Sequence, residues 1–192
     1  VTLARPMPER AARTIAHVPG VLDAEATRVA PVRFRSGPRH RDSAIVGHPE
    51  AMRMERLVDR WGSDVVMPPS GVLLERKLAE LLDVGPGDEV ELEVLEGEHR
   101  TQRLRVGGLI DQSVGLMAHA RLDDVGRLLG EERLVNVAQL VVDPAAPIEK
   151  SDPCTPAIAF ALSRNWRSVP CCLRFAVVSK SVSSPRLSTI AE

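Results

Sequence analysis

Residues 89–94 read Glu-Val-Glu-Leu-Glu-Val, and this strict alternation constrains the fold more than any other stretch. Successive side chains of a strand point to opposite faces, so Val90, Leu92 and Val94 share one face and the three glutamates share the other. The pattern predicts a strand with one face buried. Glu96-Gly97-Glu98 reads as a turn, and Leu104 and Val106 alternate with Arg103 and Arg105 on a returning strand. Glutamates on one strand and arginines on the next can pair across such a hairpin, at about 0.2–1 kcal/mol per pair. Upstream, Leu74, Leu78, Leu81 and Leu82 recur at helical spacing. Gly85-Pro86-Gly87-Asp88 then ends the helix, with Gly expected in the left-handed cap and Pro unable to continue. Downstream, Gly107-Gly108 predicts a sharp bend or bulge, and it lacks the pattern of a dinucleotide fingerprint.

The preceding residues read as β-α-β-β. Residues 1–5 form a strand end, and Pro8 opens a helix with its missing N–H in the first turn, where it does no harm. Ala11, Ile15 and Val18 give that helix a buried stripe, and Pro19-Gly20 ends it. Residues 21–34 are extended with a bend at Pro31, and 40–46 return as a strand. This order is the first part of a ferredoxin-like split unit. A short helix is expected from His48-Pro49-Glu50, with Met52, Leu57 and Val58 as its apolar side, closing at Trp61-Gly62-Ser63. Residues 67–71 are a linker made rigid by Pro68-Pro69. Residues 136–143 alternate again and are expected to return to the first sheet.

The expected fold class is therefore α+β: a ferredoxin-like split β-α-β lobe with an inserted small β-rich lobe. Residues 1–66 begin the first lobe, 67–134 form the insert, and 135–144 bring back a strand of the first lobe. In residues 145–192 the composition changes. The stretch 151–192 holds Cys154, Cys171, Cys172, Phe160, Phe175 and Trp166, and only Asp152 and Glu192 as acids. It reads as a divergent tail, non-native or partly disordered, although 156–166 could form a helix and 172–178 a strand.

The series helix, Gly85-Pro86-Gly87-Asp88, acidic strand, hairpin, basic strand, Gly107-Gly108 resembles the extracytoplasmic domain of FtsX-like ABC transporter permeases, the MacB-like periplasmic core domain. The resemblance continues through Gly108-Leu109-Ile110-Asp111, Gly115-Leu116-Met117-Ala118, the helix 122–129 and Leu140-Val141-Val142-Asp143-Pro144. Upstream it takes in His17-Val18-Pro19-Gly20-Val21-Leu22-Asp23-Ala24-Glu25. It implies a non-catalytic, bacterial, extracytoplasmic segment of a membrane protein. In such proteins a separate cytoplasmic ATPase subunit drives the motion through membrane helices. A second permease copy or paralogue, and a lipoprotein or periplasmic partner, are implied as well. Residues 67–71 and 133–135 are the expected hinges. The chain opens on Val1 inside a strand-like segment, so the membrane helices are expected in a longer parent protein.

Bulk properties agree with a chain of this kind. Its 192 residues are 44% hydrophobic but only 3% aromatic, so the core must be aliphatic, and a net charge of −1 gives no general attraction for nucleic acid. No run reaches the roughly 18–20 apolar residues that span a bilayer. Residues 82–90 also resemble the swapped-hairpin modules of AbrB-like DNA-binding proteins, which makes a soluble interaction or regulatory module with a small β-barrel lobe the alternative. Against DNA binding, residues 71–99 carry nine Asp and Glu and only Arg76 and Lys77 as cations, a formal charge of −7. No catalytic motif is present, and no cofactor or metal is expected. His40, Asp42 and His48 do not have the spacing of a ligand set and read as surface or turn residues. Asp111 reads as a turn or cap residue. Leu116 and Met117 sit in a Gly-flanked loop between strand and helix; such an apolar loop usually folds inward, and the alternative is a partner-contact patch, since exposed Leu and Met suit adaptable binding.

Overall fold

The computed structural model describes residues 1–112 and 116–143. Their elements run β1 (Thr2–Pro8), α1 (Arg10–Ile15), β2 (Val21–Ser36), β3 (Arg39–His48), β4 (Val72–Glu75), α2 (Arg76–Leu82), β5 (Glu89–Val94), β6 (Thr101–Ile110), β7 (Met117–Arg121), α3 (Leu122–Leu129) and β8 (Leu134–Val142). The strand order is β1-β8-β2-β3-β7-β4-β6-β5, and β5 also pairs with β2. That last pairing closes β2, β3, β7, β4, β6 and β5 into a six-stranded ring.

β2 belongs to two sheets. Its first part pairs antiparallel with β8, from Val21 opposite Val142 to Thr27 opposite Val137. Its second part pairs with β3, from Arg28 opposite Gly47 to Ser36 opposite Arg39, and Val32–Arg35 pair with β5 on the other side. The expected bend at Pro31 is not where the change occurs. Pro31 sits in register opposite Ala44, and the exchange of partners falls at residues 27–29. β8 also pairs antiparallel with β1, so β1 and β2 run parallel with β8 between them. Residues 136–143 thus return to the N-terminal sheet, as their alternation predicts.

The ring is filled from its own strands and plugged by helices. Ala30, Val32, Phe34, Ile45, Val72, Leu74, Val90, Leu92, Val94, Val106, Ala118 and Ala120 form one buried cluster with Leu78, Ala79 and Leu82 of α2 and Val125 and Leu128 of α3. Phe34 is its single aromatic. Alternation decides which side of each strand enters this core. Gly47 lets α3 lie against β3, because a Cβ there would stand 3.1–3.3 Å from Val125 and the Leu122 backbone.

Several sequence expectations need correction. The expected helix from His48 is absent. β3 runs on through His48, and 49–71 cross the outside of the ring as an irregular strap with one isolated bridge, Val58 to Asp64. The backbone N–H groups of Arg53 and Met54 go to the Glu25 carboxylate, not to carbonyls of a preceding turn. Met52, Leu57, Val65 and Met67 pack on Leu73 and Ile110, so the apolar residues read as a helix stripe cover a sheet instead. The helix expected to include Leu74 starts only at Arg76, and Leu74 is a strand residue inside the ring. Its left-handed cap is Asp83 (φ 57°), ahead of the expected Gly.

The inserted lobe is also different from expectation. Its ring draws β2 and β3 from residues 1–66 and β4 to β7 from residues 67–134, so position 66 does not separate two sheets. A ferredoxin-like lobe needs a second β-α-β half. Among the described residues the sheet of β1, β8 and β2 holds one such unit, β1-α1-β2, and the segments 156–166 and 172–178 expected to supply the other lie outside them.

Candidate functional site

The site is the junction where β2 leaves the sheet for the ring. Arg28 sits at that point with 1% of its side chain exposed. A guanidinium so buried needs its donors satisfied. Its Nε donates to Glu131 at 3.1 Å, its Nη2 to Glu96 and to the other Glu131 oxygen, and its Nη1 to the Val29 carbonyl at 2.9 Å. Glu96 is in the β5–β6 turn and Glu131 follows α3, so one side chain ties two segments to β2. Next to it, Asn136 of β8 accepts from the Val29 N–H and donates to the Val29 carbonyl, both at 2.8 Å. An amide side chain does there what a neighbouring strand does elsewhere. A second set of charges closes the ring, where Glu93 of β5 meets Arg35 at 2.8 Å and Arg33 at 3.8 Å on β2.

A cleft of about 320 Å³ opens between sheet and ring, with Glu25 and His48 in its wall and Arg13, Arg53, Arg121 and Arg133 around it. The arginines are mostly engaged: Arg53 with Asp23, Arg121 with Glu50, and Arg133 with Asp123 and Glu9. Beneath the strap, His48 Nε2 lies 3.0 Å from His119 Nδ1, so one ring donates and the other accepts. Both rings are buried. His48 Nδ1 is 3.9 Å from Glu55, and Glu55 accepts from Gln139 of β8 at 2.8 Å. Burial pushes His119 down to about 4, and the neighbouring His48 adds to that shift. His48 is lowered by burial, opposed by Glu55 and Glu25. His48 Nδ1, His119 Nε2 and Glu25 Oε1 are buried without a hydrogen-bond partner. Glu75, also buried, accepts from the Met117 N–H, and burial raises its carboxyl above the usual range.

Leu116 and Met117, the candidate contact patch, are each more than a third exposed at the start of β7. Ser43 donates to the Leu116 carbonyl, and Met117 sits opposite Ala44 of β3. Neither residue lines the cleft. His40 and His48 lie at opposite ends of β3, and Asp42 is held by Arg33 at 2.6 Å. His48 is not the surface or turn residue expected, because β3 carries it under the strap. Asp111 follows β6 and gathers Arg76 at 3.2 Å and Arg60 at 3.6 Å, while its carbonyl accepts from the Arg60 N–H. Sequence reading missed the His48–His119 pair. The two are 71 positions apart, and only the parallel register of β3 and β7, with Val46 opposite His119, brings them together.

Expected cross-hairpin pairs are present as register, with Glu89 opposite Arg105 and Glu91 opposite Arg103. Gly107 of β6 forms the predicted bulge: Val72 of β4 lies opposite Val106 and Leu73 opposite Gly108, so Gly107 is skipped. Among the described residues, no group of three or more His, Cys, Asp and Glu is arranged to hold a metal ion, and no helix is long and apolar enough to cross a membrane.

No family model matches the chain, and no curated protein sequence matches it. Among solved structures, it is similar to the extracellular domain of the noncanonic ABC-type transporter YknZ from Gram-positive bacteria. Identity is 14%, 74% of this chain and 76% of that one are covered, and the TM-score is 0.50. The chain has the fold of an ABC-transporter extracellular domain. The periplasmic region of MacB from Actinobacillus actinomycetemcomitans also matches, at 11% identity, 74% and 68% coverage and a TM-score of 0.45. In this transporter-domain fold the ring and the N-terminal sheet are joined by β2 itself, and the Arg28 node and the cleft lie at that join.

Proposed function

We propose that the chain is a non-catalytic extracytoplasmic domain of an FtsX-like, MacB-like bacterial ABC transporter permease. It transmits ATP-driven motion to a substrate or a periplasmic partner. The observation that carries this reading is the shared fold over about three quarters of both chains with the YknZ extracellular domain. At this identity the likeness concerns the fold, so the role is inferred from what the fold is built to do. A lever needs stiff bodies and short crossings. The ring is closed on itself, and the sheet hangs on it through β2, which argues for force passing along one covalent strand.

The proposed lobes are the ring and the sheet of β1, β8 and the first part of β2. Residues 67–71 and 133–135 remain the proposed hinges. The first is strapped to β6: Gly71 has φ 82° and its Cα faces the Arg105 carbonyl, while Pro68 packs against Gly107. Leu116 and Met117 are the proposed contact for a lipoprotein or periplasmic partner. The cytoplasmic ATPase subunit and a second permease copy would act through membrane helices of the parent protein.

The test is affinity capture of the parent protein from detergent-extracted membranes. An ATPase subunit should co-purify, and its turnover should depend on the captured permease. Recovery of the parent protein in the detergent-free soluble fraction, with no ATPase, would overturn the proposal.

A further inference from the structure

The strap is fastened to the N-terminal sheet by hydrogen bonds and to the ring by packing, over a buried imidazole pair. Arg53 and Met54 donate their N–H groups to Glu25 at 2.6 and 3.3 Å, Glu55 accepts from Gln139, and Leu57 packs on Leu73, the residue opposite His119 in β4–β7. The pair itself holds one hydrogen bond and leaves His48 Nδ1 and His119 Nε2 without partners. Charged groups reach this spot from every side: Glu25 from β2, Glu50, Arg53 and Glu55 from the strap, Arg121 from β7, Asp123 from α3, and Glu9, Arg13 and Arg133 across the cleft. Only Glu55 and Glu25 act on His48 electrostatically, and His119 is flanked by the other imidazole. Glu55 stands 3.9 Å from His48 Nδ1, beyond hydrogen-bond length.

An extra proton on this pair is therefore placed in a buried site without a hydrogen-bonded anion. Buried charge of that kind is relieved by solvation. The cheapest way to admit water is to lift the strap, which lacks regular secondary structure and is held by few backbone bonds. The geometry points to a proton-operated latch: protonation of the His48–His119 pair releases residues 49–58 from the N-terminal sheet and from the outside of the ring. This goes beyond the transporter reading and stands independently of it.

The sign follows from linkage. A histidine held low in the closed state and near 6.5 when exposed favours opening as the pH falls below 6.5. With His119 closed at about 4, the opening equilibrium rises roughly 30-fold from pH 7.5 to pH 5.

The experiment is amide hydrogen exchange on the 192-residue chain at both pH values, corrected for intrinsic exchange. Protection of Arg53 and Met54 should fall roughly 30-fold, while Val94 and Val106 in the ring keep theirs. The His119→Asn variant keeps a donor toward His48 and removes one of the two titrating rings, so its pH dependence should be clearly weaker than that of the unaltered chain, with the remainder due to His48. Unchanged or increased protection of Arg53 and Met54 at pH 5 overturns the proposal. So does an equal loss at Val94 and Val106, which would mean global unfolding. If His119→Asn does not fold, the imidazole resonances of the unaltered chain decide: His119 must titrate well below 6.5, together with strap opening.

Discussion

Removing the guanidinium at the junction is the sharpest perturbation available. Arg28→Met keeps most of the buried stem and deletes every donor that reaches Glu96, Glu131 and the Val29 carbonyl. Breaking a buried ion pair from one side costs about 3–5 kcal/mol, because the partner is left buried and uncompensated. Here the partners keep some access to water, with 34% of the Glu96 and 26% of the Glu131 side chain exposed. That places the loss at the lower end, about 3 kcal/mol. For a chain of this size such a loss lowers the midpoint of thermal unfolding by roughly 6–12 °C. Urea unfolding measures it directly, and the double variant Arg28→Met, Glu131→Gln should recover part of it, since the stranded charge is then gone. A loss under about 1 kcal/mol for Arg28→Met would refute the reasoning, as would a double variant no better than the sum of the singles.

Three further outcomes are expected. Asn136→Ala removes both bonds to Val29 and should cost about 2 kcal/mol in urea unfolding, with the loss confined to backbone pairing at the exchange point. Gly71→Ala forces an L side chain to φ 82° and drives its Cβ into the Arg105 carbonyl, so it should cost more than about 2 kcal/mol or abolish folding. Glu75→Gln should stabilise the chain at pH 7 by on the order of 1 kcal/mol. The Glu75 carboxyl is raised by burial, so its ionisation weakens the fold above that raised value. The gain should therefore vanish as the pH falls below about 4.5, when wild-type Glu75 is protonated in both states.

Local patterns were legible where one face of an element meets the core and the other meets water. The alternation at 89–94 and the Arg103, Arg105 return correspond to β5 and β6, with Glu89 opposite Arg105 and Glu91 opposite Arg103. The helix over 122–129 that the resemblance implied is likewise present. What the pattern could not carry was partnership between distant strands. Alternation in β2 does not reveal that one strand serves two sheets, nor that β5 folds back onto it to close the ring. The 49–58 stretch misled because Met52, Leu57 and Val58 mimic helix spacing, whereas a carboxylate from β2 captures the N–H groups a helix would need. The His48–His119 pair left no trace in either neighbourhood, because each imidazole sits singly among unrelated residues and meets the other only through strand register.

The most direct test of the whole account asks on which side of the membrane the ring stands. Val66 is 85% exposed on the strap, so a cysteine there is open to a membrane-impermeant maleimide. The parent protein, with Cys154, Cys171 and Cys172 replaced by serine and Val66→Cys introduced, should be labelled in intact cells, or in spheroplasts where an outer membrane exists. Labelling only after the cells are lysed would contradict the account.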